Sequence, residues 1–385
     1  MNYKISDRGQ VSSFKVMDIM RAANKIETAG KSVIHFEVGQ PYMGIPESTH
    51  DFVKNIITNK ELGYTDSCGI PELRENISSY YKRTYGETVS PDSIIITSGS
   101  SAGIQLSLLA AFDVGDRVGI ISPGYPAYKQ LLSSLSLVPE LIHVNNKNNY
   151  EPTVDMINRS SNLKGLILSS PSNPTGKILS KANMDSILDY CRINNIQIIS
   201  DEIYHGISYD EPCHTTLSNS RDVIVVNSFS KYFCMTGWRV GWLVIPKRLS
   251  LSIERLAQNH YISPPAISQW VACEVINKKE ELDKVVELYK KNREIVLENL
   301  AKIGITDFAS PDGAFYIYAN VQKLTNNSEE LCERLLKEAN IALTPGSDFD
   351  CLNGKKFIRI SYSCSSEQLI DGMNRLKDWY LKDKA

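Results

Sequence analysis

Between residues 90 and 245 the chain alternates short runs of β-branched and other apolar residues with longer stretches of mixed polarity. The runs fall at 93–97, 117–121, 165–168, 196–200, 223–226 and 240–245. Apolar runs this short, bounded by turn formers, predict strands buried on both faces, and the helical stretches between them predict crossovers. Together they predict an α/β fold with a mostly parallel sheet covered by helices. A charged helical stretch over 280–302 leads toward a smaller α+β domain that carries the apolar runs 315–318 and 357–360. The expected division is an N-terminal segment over 1–44 packing with the small domain, a large domain over 45–280 and the small domain over 281–385. No repeat or low-complexity segment interrupts the chain, and the asparagine-rich patch 145–149 reads as one turn.

In open α/β sheets ligands bind beyond the carboxyl ends of the strands, and the candidate motifs of this region follow such runs. The segment Asn227-Ser-Phe-Ser-Lys231 follows the run 223–226, with Gly237 and Arg239 shortly after. A lysine by itself is ordinarily a solvated surface residue. Behind a buried strand, with serines and an arginine beside it, it can hold a phosphorylated aldehyde. Lys231 is then the amine nucleophile, Ser228 and Ser230 are hydroxyl donors to a phosphate, and Arg239 is its charged, bidentate partner. Thr97-Ser-Gly-Ser-Ser-Ala-Gly103 joins a strand to a helix expected to start near Ile104. This turn is either a simple cap or a second phosphate contact through Ser100, Ser101 and Ala102.

Asp201, in Ser200-Asp-Glu-Ile-Tyr204, either caps the next turn or pairs with a buried cation. A protonated pyridoxal ring nitrogen is such a cation, and Tyr204 is spaced to hydrogen-bond the phenolic oxygen of the ring. Asn173-Pro-Thr-Gly176 is a turn that either has no other role or presents the Asn173 amide to that oxygen and to a substrate carboxylate. Tyr125, between two prolines, either packs or stacks on an aromatic ring. Arg359, on a predicted strand, is a surface charge or a fork for a carboxylate.

Composition narrows the partner. With 385 residues, 42% of them hydrophobic, the chain can bury a large core. A net charge of −2 gives no general attraction to nucleic acid or to an anionic membrane, so a small-molecule partner is expected. Eight cysteines without a C-x-x-C pair read as reduced thiols, and residues 1–8 lack the apolar core of a signal peptide, so a cytoplasmic protein is expected. Six histidines without an H-x-x-x-H or H-E-x-x-H pair argue against a dedicated metal site.

Taken in order, Gly39-Gln-Pro41, Tyr64 with Gly69 and Leu73-Arg74, the Ser/Gly turn, Asn173-Pro-Thr-Gly176, Asp201-Glu-Ile-Tyr204, Ser228-Phe-Ser-Lys231, Gly237-Trp-Arg-Val-Gly241, Pro345-Gly346 and Arg359 extend over nearly the whole chain. With these motifs the chain resembles the class I/II aminotransferases of the type I fold of pyridoxal 5′-phosphate enzymes, most closely their prokaryotic aspartate, alanine and aromatic branch. The resemblance implies ping-pong transfer of an α-amino group between an L-amino acid and a 2-oxo acid. It implies that Lys231 holds the cofactor as a Schiff base and shuttles the proton, that Asp201 holds the pyridinium, and that Tyr204 and Asn173 hold the ring oxygen. Tyr125 then stacks on the ring, and Ser100, Ser101, Ser228 and Arg239 bind the phosphate. Arg359 and the Gly39 amide take the substrate carboxylate. Tyr64 is implied to reach the phosphate of a neighbouring subunit, making a homodimer with shared sites.

Some aspartate-specific relatives place a lysine where this chain has Ser101. Arg8 or Arg21 either replaces it as partner of a distal carboxylate or is a surface charge, and Tyr261-Ile-Ser-Pro-Pro265 is an unusual stretch near the expected entrance. Two alternatives share the fold. The C–S lyases carry histidine at the position of Tyr204, and non-catalytic cofactor-sensing regulators carry a basic DNA-binding domain in front, which this sequence does not show.

Overall fold

The computed structural model describes residues 3–383, so residues 1–2 and 384–385 of the expected N-terminal segment and small domain lie outside the described residues. A short strand β1 (Ile34–His35) lies apart from the main sheet. That sheet is built from β2 (Ile94–Thr97), β3 (Arg117–Ser122), β4 (Val138–His143), β5 (Leu163–Ser169), β6 (Gln197–Asp201), β7 (Ile224–Ser228) and β8 (Gly241–Val244). Their order is β2-β8-β7-β6-β5-β3-β4, and only β8 runs antiparallel to its neighbours.

Successive side chains of a strand point to opposite faces, so a strand covered on both sides is apolar throughout. Ile94, Ile96, Val225, Trp242 and Val244 enter one core with Leu73, Ile77 and Tyr81 of the helix Pro71–Tyr85. Ile95, Ile224, Val226 and Leu243 enter the other with Ile104 and Leu108 of the helix Gly99–Ala111 and Ile253 of the helix Ser250–Tyr261. This explains why the strands read as runs rather than as alternations.

Two local expectations are corrected. Strand β4 was not among the runs, because Pro139 and Glu140 interrupt its apolar pattern. It is an edge strand, paired only with β3, where a missing proline N–H breaks no ladder on the open side. The helix expected near Ile104 starts at Gly99 instead. Gly99 has a φ of +78°, which turns the chain within one residue and makes Ser100 and Ser101 part of the first helical turn. A Cβ at Gly99 would also run into the Arg239 guanidinium.

The remaining strands are β9 (Tyr316–Asn320), β10 (Ile341–Ala342), β11 (Thr344–Pro345) and β12 (Phe357–Ser361). An antiparallel sheet has the order β11-β12-β9, and β1 pairs in parallel with β10. The 24-residue helix Lys279–Lys302 and the helix Ser366–Asp383 pack beside each other.

Topology decides where the motifs meet. β2, β3, β5, β6 and β7 all point the same way, so the segments leaving them emerge at one edge of the sheet. β8 runs the other way, and the residues that enter it, Arg239 among them, lie at that same edge.

Candidate active site

A cavity of about 230 Å³ opens at this edge. Its lining includes Gly39, Ser100, Ser101, Tyr125, Asn173, Asp201, Tyr204, Ser230, Lys231, Arg239 and Arg359. At least seven segments of the chain therefore contribute to one space.

Lys231 donates a hydrogen bond from Nζ to the Gly39 carbonyl. Burial lowers its amine to about 8, helped by the charges of Arg359 and Arg239 and opposed by Asp201. An amine with this property is partly neutral near physiological pH and can act as nucleophile or base. Gly39 is required at its position, because a Cβ there would run into the Tyr316 hydroxyl.

Asp201 ends β6 and is 4% exposed. Its carboxylate accepts from the Tyr128 hydroxyl and, at 3.1 Å, from the Ile203 N–H. Burial pushes it up to about 6, against the lowering effect of these two donors. Among the described residues no cation forms an ion pair with it, so a buried carboxylate faces the cavity with capacity for one more positive partner.

The opposite wall suits an anion. Arg239 adopts a left-handed backbone, φ +53°, a conformation rarely held by a residue other than glycine unless its surroundings impose it. The Arg239 side chain lies against Gly99 and donates to the Thr236 carbonyl at 3.0 Å, and Ser100, Ser101 and Ser230 line the cavity nearby. Serine hydroxyls, the first turn of a helix and a guanidinium together form a cradle for a phosphate.

Arg359 lies on β12 and is 1% exposed. It donates to Asn173 Oδ1 at 2.9 Å and to the Glu37 carbonyl, and it sits between the Tyr316 and Phe349 rings at 4.4 and 4.9 Å. Its Nε has no hydrogen-bond partner among the described residues. A buried guanidinium with a spare N–H fits a carboxylate ligand. With Asn173 Oδ1 occupied, the Asn173 amide NH2 is the end left to donate. Tyr204 shares a 2.8 Å hydrogen bond with Tyr316, and burial raises its phenol well above the usual range, which keeps it a neutral donor.

Three of the predicted residues do not line the cavity. Ser228 is set behind Ser230, its hydroxyl spent on Ser230 Oγ at 2.9 Å and the Val240 carbonyl at 3.2 Å. Ala102 lies on the same helical turn as Ser101 without lining the space, and Tyr64 is 83% exposed on the outer surface. Neither Arg8 nor Arg21 lines the cavity, and Arg21 pairs with Asp18 at 3.2 Å.

Tyr128, Tyr316, Phe14, Met17 and Ile104 were not foreseen as lining residues. Tyr128 had a local signal, since it lies three positions after Tyr125 at the start of a helix and so shares its face. Tyr316 had none, because Tyr316 and Tyr318 have the same parity on β9 and only the placement of that strand selects one.

Comparison with known proteins agrees with this arrangement. The family model for aminotransferase class I and II matches residues 31–376. The valine–pyruvate aminotransferase of Mycobacterium tuberculosis is 38% identical over 98% of this chain and 99% of its own length. The (5-formylfuran-3-yl)methyl phosphate transaminase of Methanocaldococcus jannaschii is 37% identical over 96% of this chain and 97% of its own. A crystal structure of an aminotransferase from Mycobacterium tuberculosis superposes with a TM-score of 0.96 at 37% identity, covering 99% of this chain and 100% of the other. A sheet edge that gathers an amine, a buried carboxylate, an anion cradle and a carboxylate fork is thus found in a chain that belongs to the class I and II aminotransferases, a family of enzymes that use pyridoxal phosphate to move amino groups between amino acids and oxo acids.

Proposed function

We propose that the cavity holds pyridoxal 5′-phosphate and that the chain transfers α-amino groups between L-amino acids and 2-oxo acids by a ping-pong cycle. The carrying observation is that the Lys231 amine shares one cavity with a buried Asp201 carboxylate that forms no ion pair among the described residues and with Arg359, whose Nε has no hydrogen-bond partner among them. These groups suit the cofactor. Asp201 would meet a protonated ring nitrogen, Arg239, Ser100, Ser101 and Ser230 would meet a phosphate, and Tyr125 would offer a ring to stack on. When bound, pyridoxal phosphate supplies an electron sink for the bonds at the substrate α-carbon.

The residues of the chain divide the remaining work. Lys231 would hold the cofactor through Nζ and move the proton at the substrate α-carbon. Asp201 would keep the ring nitrogen protonated, its charge acting strongly on a cation because the site is screened from water. Tyr204 and the Asn173 NH2 would donate to the ring oxygen. Arg359 holds the α-carboxylate and so orients the bond to be broken. The reading is tested by the visible band of the bound cofactor: an amino acid should bleach it and a 2-oxo acid should restore it. Bleaching with release of ammonia and pyruvate would replace transfer by elimination.

Arg359→Lys is expected to raise the KM for amino acids by about 10- to 100-fold, since a point charge replaces a fork and one charged hydrogen bond is lost. Steady-state kinetics with one donor checks this, and an unchanged KM would place the carboxylate elsewhere.

We also propose that two copies pair and share their sites. The exposed Tyr64 side chain then contacts the phosphate held by the neighbouring copy. Mixed dimers refolded from Tyr64→Ala and Lys231→Ala subunits are expected to be more active per intact Lys231 than the Tyr64→Ala parent, because one site per mixed dimer keeps both residues. No gain on mixing would show that Tyr64 serves no neighbouring site. The proposed division into an N-terminal segment, a large and a small domain, and a cytoplasmic location, complete this reading; eight cysteines without a disulfide suit a reducing compartment.

A further inference from the structure

We infer that this site selects amino acids with apolar side chains and rejects those with a second carboxylate, and that Phe14, Met17 and Ile104 make the selection. The inference rests on the aminotransferase reading of the same cavity. Among the described residues that line the space, the cations are Lys231, Arg239 and Arg359. Each is already engaged: Lys231 with the reacting centre, Arg239 with the anion cradle, and Arg359 with Asn173, the Glu37 carbonyl and the α-carboxylate.

Among the described residues the N-terminal segment supplies no fourth cation to the lining. Lys15 lies between Phe14 and Val16 but turns away, bonding Glu329 at 2.6 Å and Ser347 at 3.1 Å. What this segment presents to the cavity is Phe14, Val16 and Met17, and the facing helix adds Ile104. Ile104 follows Ser100 and Ser101 by one helical turn, so it stands on the same helix face as the anion cradle. Phe14 meets the Tyr125 ring edge-on at 5.9 Å, which brings the apolar wall against the aromatic residue of the cavity. Val16 and Ile104 are buried, whereas Met17 is 45% exposed and stands at the mouth.

A distal carboxylate entering this space gives up its water and finds no free positive partner among the described lining residues of this chain, whereas an aliphatic side chain gains contact with the wall. The test uses the cofactor-loaded enzyme and the second-order rate at which each amino acid bleaches the visible band. Leucine is expected to exceed alanine by about 10-fold. It is expected to exceed aspartate by about 100-fold, because an unpaired buried charge is the costlier defect. In Met17→Lys the aspartate-to-leucine ratio is expected to rise by about 10-fold or more, as a cation now stands at the mouth. The ratio is internal to one preparation, so partial loss of folded protein divides out. Aspartate reacting as fast as leucine would overturn the selection and leave the aminotransferase reading intact, and an unchanged ratio in the variant would remove Met17 from it. A band that no amino acid bleaches would overturn both.

Discussion

Lys231→Ala is expected to lower kcat by about 10⁴-fold or more, because the proposed role of Lys231 joins the covalent anchor and the proton carrier in one amine. Lys231→Arg should do no better, since guanidinium stays protonated at any working pH and cannot act as nucleophile or base. The wild-type amine carries its own signature. Burial and the charges of Arg359 and Arg239 bring it down to about 8. The neutral amine is the reactive form, so the rate at which cofactor-free enzyme captures pyridoxal phosphate should fall about tenfold per unit below pH 8 and level off above it. An unperturbed lysine would keep gaining up to about pH 10.4. Stopped-flow absorbance across this range distinguishes the two, and a profile still rising at pH 9.5 would sink the account of the depressed amine. Retention of turnover by the alanine variant would remove Lys231 from the chemistry altogether.

Asp201→Asn is expected to reduce kcat by about 10²- to 10³-fold, the scale of losing one preorganised electrostatic partner. The substitution keeps the size of the side chain but removes the charge that a protonated ring nitrogen needs. The orienting bonds differ too. Tyr128 donates to one carboxylate oxygen and the Ile203 N–H to the other, and an asparagine amide, with a single acceptor oxygen, can accept from only one of them. A structural role alone would weaken the fold without changing the titration of Lys231. Asp201 raises the Lys231 amine, so its removal should move the acid limb of the capture profile to lower pH. A full kcat in Asp201→Asn, or an acid limb that stays near pH 8, would show that Asp201 does not act on the reacting centre.

The parts of the fold and site that could be read in the sequence are those that depend on neighbours along the chain. The run 223–226 is apolar because β7 is buried on both faces, and Lys231 sits where the segment leaving that strand must emerge. Asp201 at the end of β6, and Asn173 shortly after β5, follow the same logic. Strand β4 escaped because an edge tolerates Pro139 and Glu140. Ser228 and Ser230 looked equivalent in sequence, yet one hydroxyl faces the cavity and the other is consumed behind it, a distinction set by the turn that carries Phe229 into the core.

The sequence by itself determined the α/β pattern, the position of Lys231, Asp201 and Asn173 at or just beyond strand ends, and the membership of the chain in its family, because apolar runs, turn residues and motif spacing are local properties. Tertiary structure alone decided which distant groups share the cavity. Arg359 meets Asn173 across 186 residues, and Tyr204 meets Tyr316 across 112. It also decided the apolar wall and the orientation of Lys15 away from it. These pairings depend on strand order, register and the path of the N-terminal segment, and no local spacing encodes them, because each requires two surfaces to be buried against each other before either side chain has a partner.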